Sequence, residues 1–242
     1  MPFDKILFFV IIYGVGTAVL IFLTHILREA GNAAGGNGSR TASRMVMALW
    51  LWAAIANAYA LLVIGDTFLW FVPSVVLPLV VGFSSTFMEP VRHVLRHISL
   101  AKLIIVQVYR NAGAVFLIAY YVTGTYMSKE FADNAGWGDV LTGMLAIPTA
   151  LAALYRIPFW RLAVIVWCAI GIGDLILAPV TAQIYGGMRS DDFPINAIPI
   201  FFGPPLGILL HLVALRALAL QRETQGPHDG LKTPLARPEA AT

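Results

Sequence analysis

The segment 168–179 reads CAIGIGDLILAP, and Asp174 is the only charged group in it. An ionised carboxylate set in an apolar run must be paired, hydrated or protonated, because leaving it bare in hydrocarbon is too costly. Gly171 and Gly173 precede it and remove side chains from the same stretch, which permits close helix approach or leaves room for a ligand or water. Two further charges stand in comparable runs. Asp139 follows GWG at 136–138, and Arg110 sits in VQVYRNAGAV. One guanidinium and two carboxylates bind a proton, a cation or an anion if they line a pocket. They clamp helices together if they do not. The sequence leaves both readings open.

Gln107, Arg110 and Asn111 are spaced i, i+3 and i+4, so an α-helix puts them on one face. Arg110 lies about 12 Å inside its apolar run by helical rise, a depth that calls for an interior partner. Asp174 lies ~22 Å from the inner end of its run, and Asp139 lies near the outer boundary of its own. The two carboxylates are thus expected at similar height on adjacent antiparallel helices, with Arg110 as the floor beneath them. The candidate ligand- or proton-binding set is Asp174, Arg110, Asp139, Gln107, Asn111 and His211. Tyr109 and Tyr120 are candidates to add hydroxyls, and Asn57, with Tyr59 nearby, is a further buried polar candidate.

His211 and His25 fall at related depths in different runs, and a b-type haem or a metal would need them to converge. Nothing in the sequence fixes their faces, and a hydrogen-bonded structural histidine is the plainer reading of each. His93 and His97 are four apart, but Val94-Leu95-Arg96 stands between them without the glutamate of a metallohydrolase helix. They read as a solvated interfacial face beside anionic lipid. No catalytic residue and no metal set is assigned, and the cofactor question stays open. No glycine-rich phosphate loop ending in Lys and Ser/Thr is present, Ser84 and Ser85 lack catalytic partners, and Cys168 has no base beside it in the sequence. These absences favour a protein other than an enzyme and leave the question open.

The elements that must carry these residues are long and apolar. The chain has 242 residues, 59% hydrophobic and only 12% charged, where soluble domains carry roughly 25% charge. Runs of about 20 apolar residues cross the roughly 30 Å hydrocarbon core of a bilayer. Seven such spans are expected, at 5–27, 45–65, 71–87, 103–124, 137–154, 159–182 and 198–218. The fold class is all-α: a polytopic seven-helix membrane domain over 1–220, followed by a flexible cytoplasmic tail over 221–242. The third span is short and carries Pro73 and Pro78; Pro204 and Pro205 are expected to bend the seventh. Trp70, Trp137 and Trp160 fall near span ends, where an interfacial belt wants them. Trp50, Trp52 and Trp167 lie deeper and pack or flank an apolar ligand. The segment 28–43 reads as flexible, and 89–98 as an amphipathic interfacial helix.

Basic residues set the orientation. Of sixteen lysines and arginines, twelve fall on one side: Arg28, Arg40, Arg44, Arg92, Arg96, Lys102, Arg156, Arg161, Arg216, Arg222, Lys232 and Arg237. Three fall on the other, Lys5, Lys129 and Arg189, and Arg110 lies within a span. This bias predicts an outside N-terminus and a cytoplasmic C-terminus. The net charge of +3 is accounted for by those loops, and with no concentrated basic block no nucleic-acid partner is expected. The first run lacks a cleavage signal and reads as a retained span.

The ordered segments QVYRNAGAVFL, GWGDVLTG, GIGDLILAP and FFGPPLGILLHLVALRAL resemble an uncharacterised family of bacterial seven-helix integral membrane proteins. The resemblance covers spans four to seven. It implies that architecture and a bacterial cytoplasmic (inner) membrane location, and it transfers no activity. The seventh span has no lysine for a retinal Schiff base, which excludes a rhodopsin. The resulting expectation is a small-solute or proton-coupled transporter, with the lipid bilayer and a small solute or ion as partners. The alternative is a non-transporting sensor, assembly or structural partner, and a third reading is a haem-binding redox protein. Oligomeric state is not read from the sequence.

Overall fold

The computed structural model describes residues 3–62, 76–122, 127–185 and 197–224, and every described element is helical. The expectations for Asp66, Trp70, residues 71–75, Arg189 and the tail beyond 224 lie outside the described residues. So do those for the side chains of Asn57 and Tyr59.

Helices α1 (Phe3–Ala34) and α2 (Gly38–Leu62) form a hairpin. The expectation of a flexible 28–43 is corrected here: helix persists to Ala34 and resumes at Gly38. Glu29 and the alanines favour helix, while Gly35 and Gly36 take left-handed φ values of 67° and 49° and reverse the chain in a minimal turn. Gly31 sits where any side chain would meet Ala42 and Gly38, so the two helix ends close tightly.

Helix α3 (Leu77–Ser85) carries Pro78 in its first turn, where the missing N–H loses nothing. A turn held by Thr86 Oγ1 donating to Phe83 O (2.6 Å) leads into α4 (Glu89–Arg96). Helix α4 buries Val91, Val94 and Leu95 and turns Arg96 and His97 outward, which is the amphipathic pattern expected of it.

A single rod then runs through α5 (Leu100–Ile105), a 3-10 segment (Val106–Gly113) and α6 (Ala114–Tyr121). Ser99 caps its start by accepting the Lys102 N–H. Helix α7 (Lys129–Tyr155), capped by Ser128, is joined to α8 (Trp160–Tyr185) by a tight turn with Arg156 in the left-handed region. Helix α9 (Ala197–Thr224) closes the bundle. It continues past the boundary expected at 220, and Gln221 donates to Ile98 O at 3.0 Å, tying that end to the α4–α5 corner.

Four of these elements are long and apolar enough to cross a membrane: Leu100–Tyr121, Lys129–Tyr155, Trp160–Tyr185 and Gly203–Glu223. Their packing is inverted relative to a water-soluble bundle. On α7 the buried face is made of small residues, including Ala132, Ala135, Gly136, Gly143, Ala146 and Ala150. The large side chains Trp137, Leu141, Met144, Leu151 and Leu154 point outward. Small residues let helix backbones approach closely, and an apolar exterior of this extent suits lipid rather than water. Helix α7 packs along both α8 and the rod, and the charged residues lie there.

Candidate functional site

The 3-10 segment decides how Arg110 is presented. With three residues per turn, Gln107, Arg110 and Gly113 fall in one line, and all three are buried. This corrects the expected α-helical face. Asn111 leaves the line, donates to Val108 O at 2.9 Å and packs against Gly143. Runs of 3-10 helix this long are uncommon and mark strain or a hinge.

The Arg110 guanidinium divides its donors among three acceptors. Nε donates to Asp139 Oδ1 at 2.7 Å, Nη1 to Gly171 O at 3.2 Å, and Nη2 to Asp174 Oδ2. The Arg110 side chain is 1% exposed, Asp139 20% and Asp174 11%. One cation therefore joins the rod, α7 and α8, and both carboxylates keep a narrow route to the surroundings. Charge-assisted bonds of this fork geometry are the strong class of hydrogen bond.

Glycines make the approach possible. A side chain at Gly113 would overlap Asp139, and one at Gly138 would overlap the Asp174 carboxylate. Gly171 lies against His211 in the same way. The glycine before Asp174 that matters is thus Gly171; Gly173 faces open space.

Polar side chains continue from the charged cluster toward α9. Gln107 Nε2 donates to Gly207 O at 3.2 Å. His211 is fully buried, and its ring lies 4.4 Å from that of Trp167, centroid to centroid. Trp167 Nε1 donates to Thr142 O at 3.0 Å, and Cys168 Sγ donates weakly to the His211 carbonyl. Tyr109 stands over Gly207. Tyr120 lies apart from the cluster, ring to ring with Tyr121. Thr142, which sequence reasoning missed, sits one turn beyond Gly138 on the same face of α7; that spacing was the available signal.

His25 does not meet His211. It is 65% exposed and pairs with Glu29 at 3.2 Å. His93 Nε2 contacts Ala34 O at 3.0 Å, with His97 at the surface beside it. Among the described residues no group of three or more His, Cys, Asp or Glu is assembled to hold a metal. A separate apolar cavity of about 460 Å³, lined by Leu27, Met45, Trp52, Val81 and Leu209, shares no residue with the charged cluster.

A second set of ion pairs ties α1, α4, α5 and α9 together at the end of the bundle opposite the α6–α7 connection. Glu89 pairs with Arg92 (3.2 Å) and Arg96 (2.8 Å), Arg92 with Glu223 (3.6 Å), and Lys102 with Glu29 (2.5 Å). The hydrogen bond from Arg96 holds the Glu89 carboxyl below its ordinary range, and the bond from Lys102 does the same for Glu29.

The family model for a domain of unknown function, DUF8737, matches residues 67–219. The chain belongs to the DUF8737 family. The matched region holds Arg110, Asp139, Asp174, Gln107, Thr142 and His211, so every member of the polar cluster lies inside the DUF8737 domain, while α1 and α2 precede it. The match also begins well before the four segments that carry the resemblance in sequence. Among curated proteins and among solved structures, none matches the chain.

Proposed function

We propose that this DUF8737 protein is a proton- or small-cation-coupled transporter of a bacterial inner membrane, with Asp139, Arg110 and Asp174 as its binding site. In this reading the chain crosses the bilayer seven times, with its N-terminus outside and its C-terminus in the cytoplasm. Twelve basic residues on one side against three on the other support that orientation.

The observation that carries the function is the charge count. One guanidinium stands between two carboxylates, so the ionised cluster holds one surplus negative charge in an apolar bundle. A proton or a monovalent cation cancels it, and the partial exposure of both carboxylates gives that ion a way in. Binding and release of one positive charge at such a site is the elementary step of ion-coupled transport.

The test is flux into liposomes containing the purified protein and a pH-sensitive dye, driven by a potassium diffusion potential, with sodium flux measured in parallel. Wild-type protein is expected to exceed empty liposomes, and Asp174→Asn and Asp139→Asn to lose most of that excess. Wild-type flux equal to that of empty liposomes for both ions overturns the transport reading. The second reading, a non-transporting sensor, assembly or structural protein, draws on the full use of the Arg110 donors, which suits a clamp between three helices. It predicts no flux and variants that lose the folded state.

A further inference from the structure

His211 is fully buried, and among the described residues neither Nδ1 nor Nε2 has a hydrogen-bond partner. A neutral imidazole carries one donor and one acceptor, and buried polar groups are almost always satisfied by protein or by ordered water. Among the other buried atoms in this condition are Thr142 Oγ1 and Gln107 Oε1. They belong to the same neighbourhood. The position a side chain would take on Gly171 is shared by the His211 Nε2 edge and, at 3.0 Å, by Thr142 Cγ2. The Gly171 carbonyl in turn accepts from Arg110 Nη1. Gln107 lies one 3-10 turn before Arg110 and bonds the backbone of Gly207, one α-turn before His211. Unmet donors and acceptors so grouped, at a polar seam between four helical elements, are what internal water occupies.

We propose that His211 is a proton relay, joined through internal water at the Gly171–Thr142 seam to the Asp174–Arg110–Asp139 cluster. The proposal rests on the proton-binding form of the transport reading and names its next station. A proton leaving an aspartate carboxyl passes to water, and water protonates the free ring nitrogen. The N–H on the opposite nitrogen then releases its proton to a second internal water. Only O–H and N–H bonds form and break, and the ring ends as the other tautomer, which a turn of the ring restores. The charged and titratable groups around this seam are Arg110 and Tyr109 from the 3-10 segment, Asp139 from α7, and Asp174 and Cys168 from α8. The guanidinium repels an arriving proton and the carboxylates attract it, so its stay on the ring is set by their balance. Trp167 lies against the ring while spending its own N–H on Thr142 O, and so engages neither ring nitrogen.

Two measurements on the full chain test the relay. In the dye-loaded liposomes, His211→Gln keeps a polar side chain but cannot pass a proton from one nitrogen to another. It is expected to lower proton flux at least tenfold, with the elution profile and thermal midpoint of the wild type. Gly171→Ala, which pushes the ring off the seam, is expected to lower flux as well. Wild-type flux in a folded His211→Gln variant overturns the relay and leaves the aspartate site standing. Absence of wild-type flux instead overturns the transport reading beneath it. Independently, ¹⁵N-histidine NMR in lipid nanodiscs, with the His211 signals assigned by their loss in His211→Gln, reads the ring directly. Exchange between the ring N–H and water, with a shift of the His211 signals in Asp174→Asn, is the expected result. A ring shielded from water and unmoved by Asp174→Asn overturns the relay.

Discussion

Two groups of ion pairs among the described residues differ in everything but chemistry. The Arg110 cluster lies between the rod, α7 and α8, with its cation sealed from the surroundings. The belt around Glu89, Arg92, Arg96, Lys102 and Glu29 lies at one end of the bundle, largely exposed. In the belt, water competes for every group and one lost partner is replaced by solvent, so each pair is worth little. In the cluster no replacement is at hand. Removing one charge strands another, and the loss far exceeds the net worth of the pair. The belt is redundant, with Glu89 serving two arginines, whereas one arginine serves both aspartates.

The sharpest break of this contrast is Arg110→Gln, which strands both carboxylates. It is expected to cost about 3–5 kcal/mol, measured as unfolding in mild detergent. A loss below about 1 kcal/mol would put the cluster on the belt's scale. Restoring neutrality by adding Asp139→Asn and Asp174→Asn should recover most of that loss. Next comes Gly138→Val, whose side chain meets the Asp174 carboxylate; overpacking of this kind costs about 1–3 kcal/mol. Asp174→Asn alone leaves one arginine facing one aspartate, a balanced pair. Its cost is expected near that of one hydrogen bond, about 1 kcal/mol, and a loss as large as that of Arg110→Gln would refute the charge count.

The smallest effect belongs to the belt. Glu89→Gln should lower the thermal midpoint less than any change above, and about 0.5 M salt should erase the difference. Because the fold lowers the Glu89 pKa, its contribution is in place above the ordinary carboxylate range. It fades as pH falls from the ordinary carboxylate range through the lowered value. Arg96→Gln should flatten that dependence, and a dependence that survives it would assign the effect to another carboxylate.

The convergence of Arg110, Asp139 and Asp174 was legible because charge in an apolar run must find a partner, and only three such charges exist at suitable depths. Gly171 was legible for the same reason, as a gap beside Asp174. The partner choice of Asn111 was not. It depends on a period of three, and no residue in VQVYRNAG signals 3-10 winding in the sequence. The α1–α2 hairpin was missed because polar composition was read as looseness, although Gly31, Gly38 and Ala42 are the small residues that close packing needs. The state of His211 also depends on tertiary context. Apolar flanks say that it is buried, and only the assembled helices say that no described residue meets its nitrogens.

The 3-10 segment carries one more implication. Relative to an α-helix, each of its residues advances roughly 20° further and 0.5 Å longer. The five residues from Val106 to Arg110 thus accumulate roughly 100° of rotation and about 2.5 Å of travel. Rewinding them would act as a screw, swinging the guanidinium out from between its carboxylates and shortening the rod in the same stroke. Spin labels placed on α5 and α6 would register that stroke as a change in separation. A local change of winding would thus tie the pairing of Arg110 to the separation of α5 and α6.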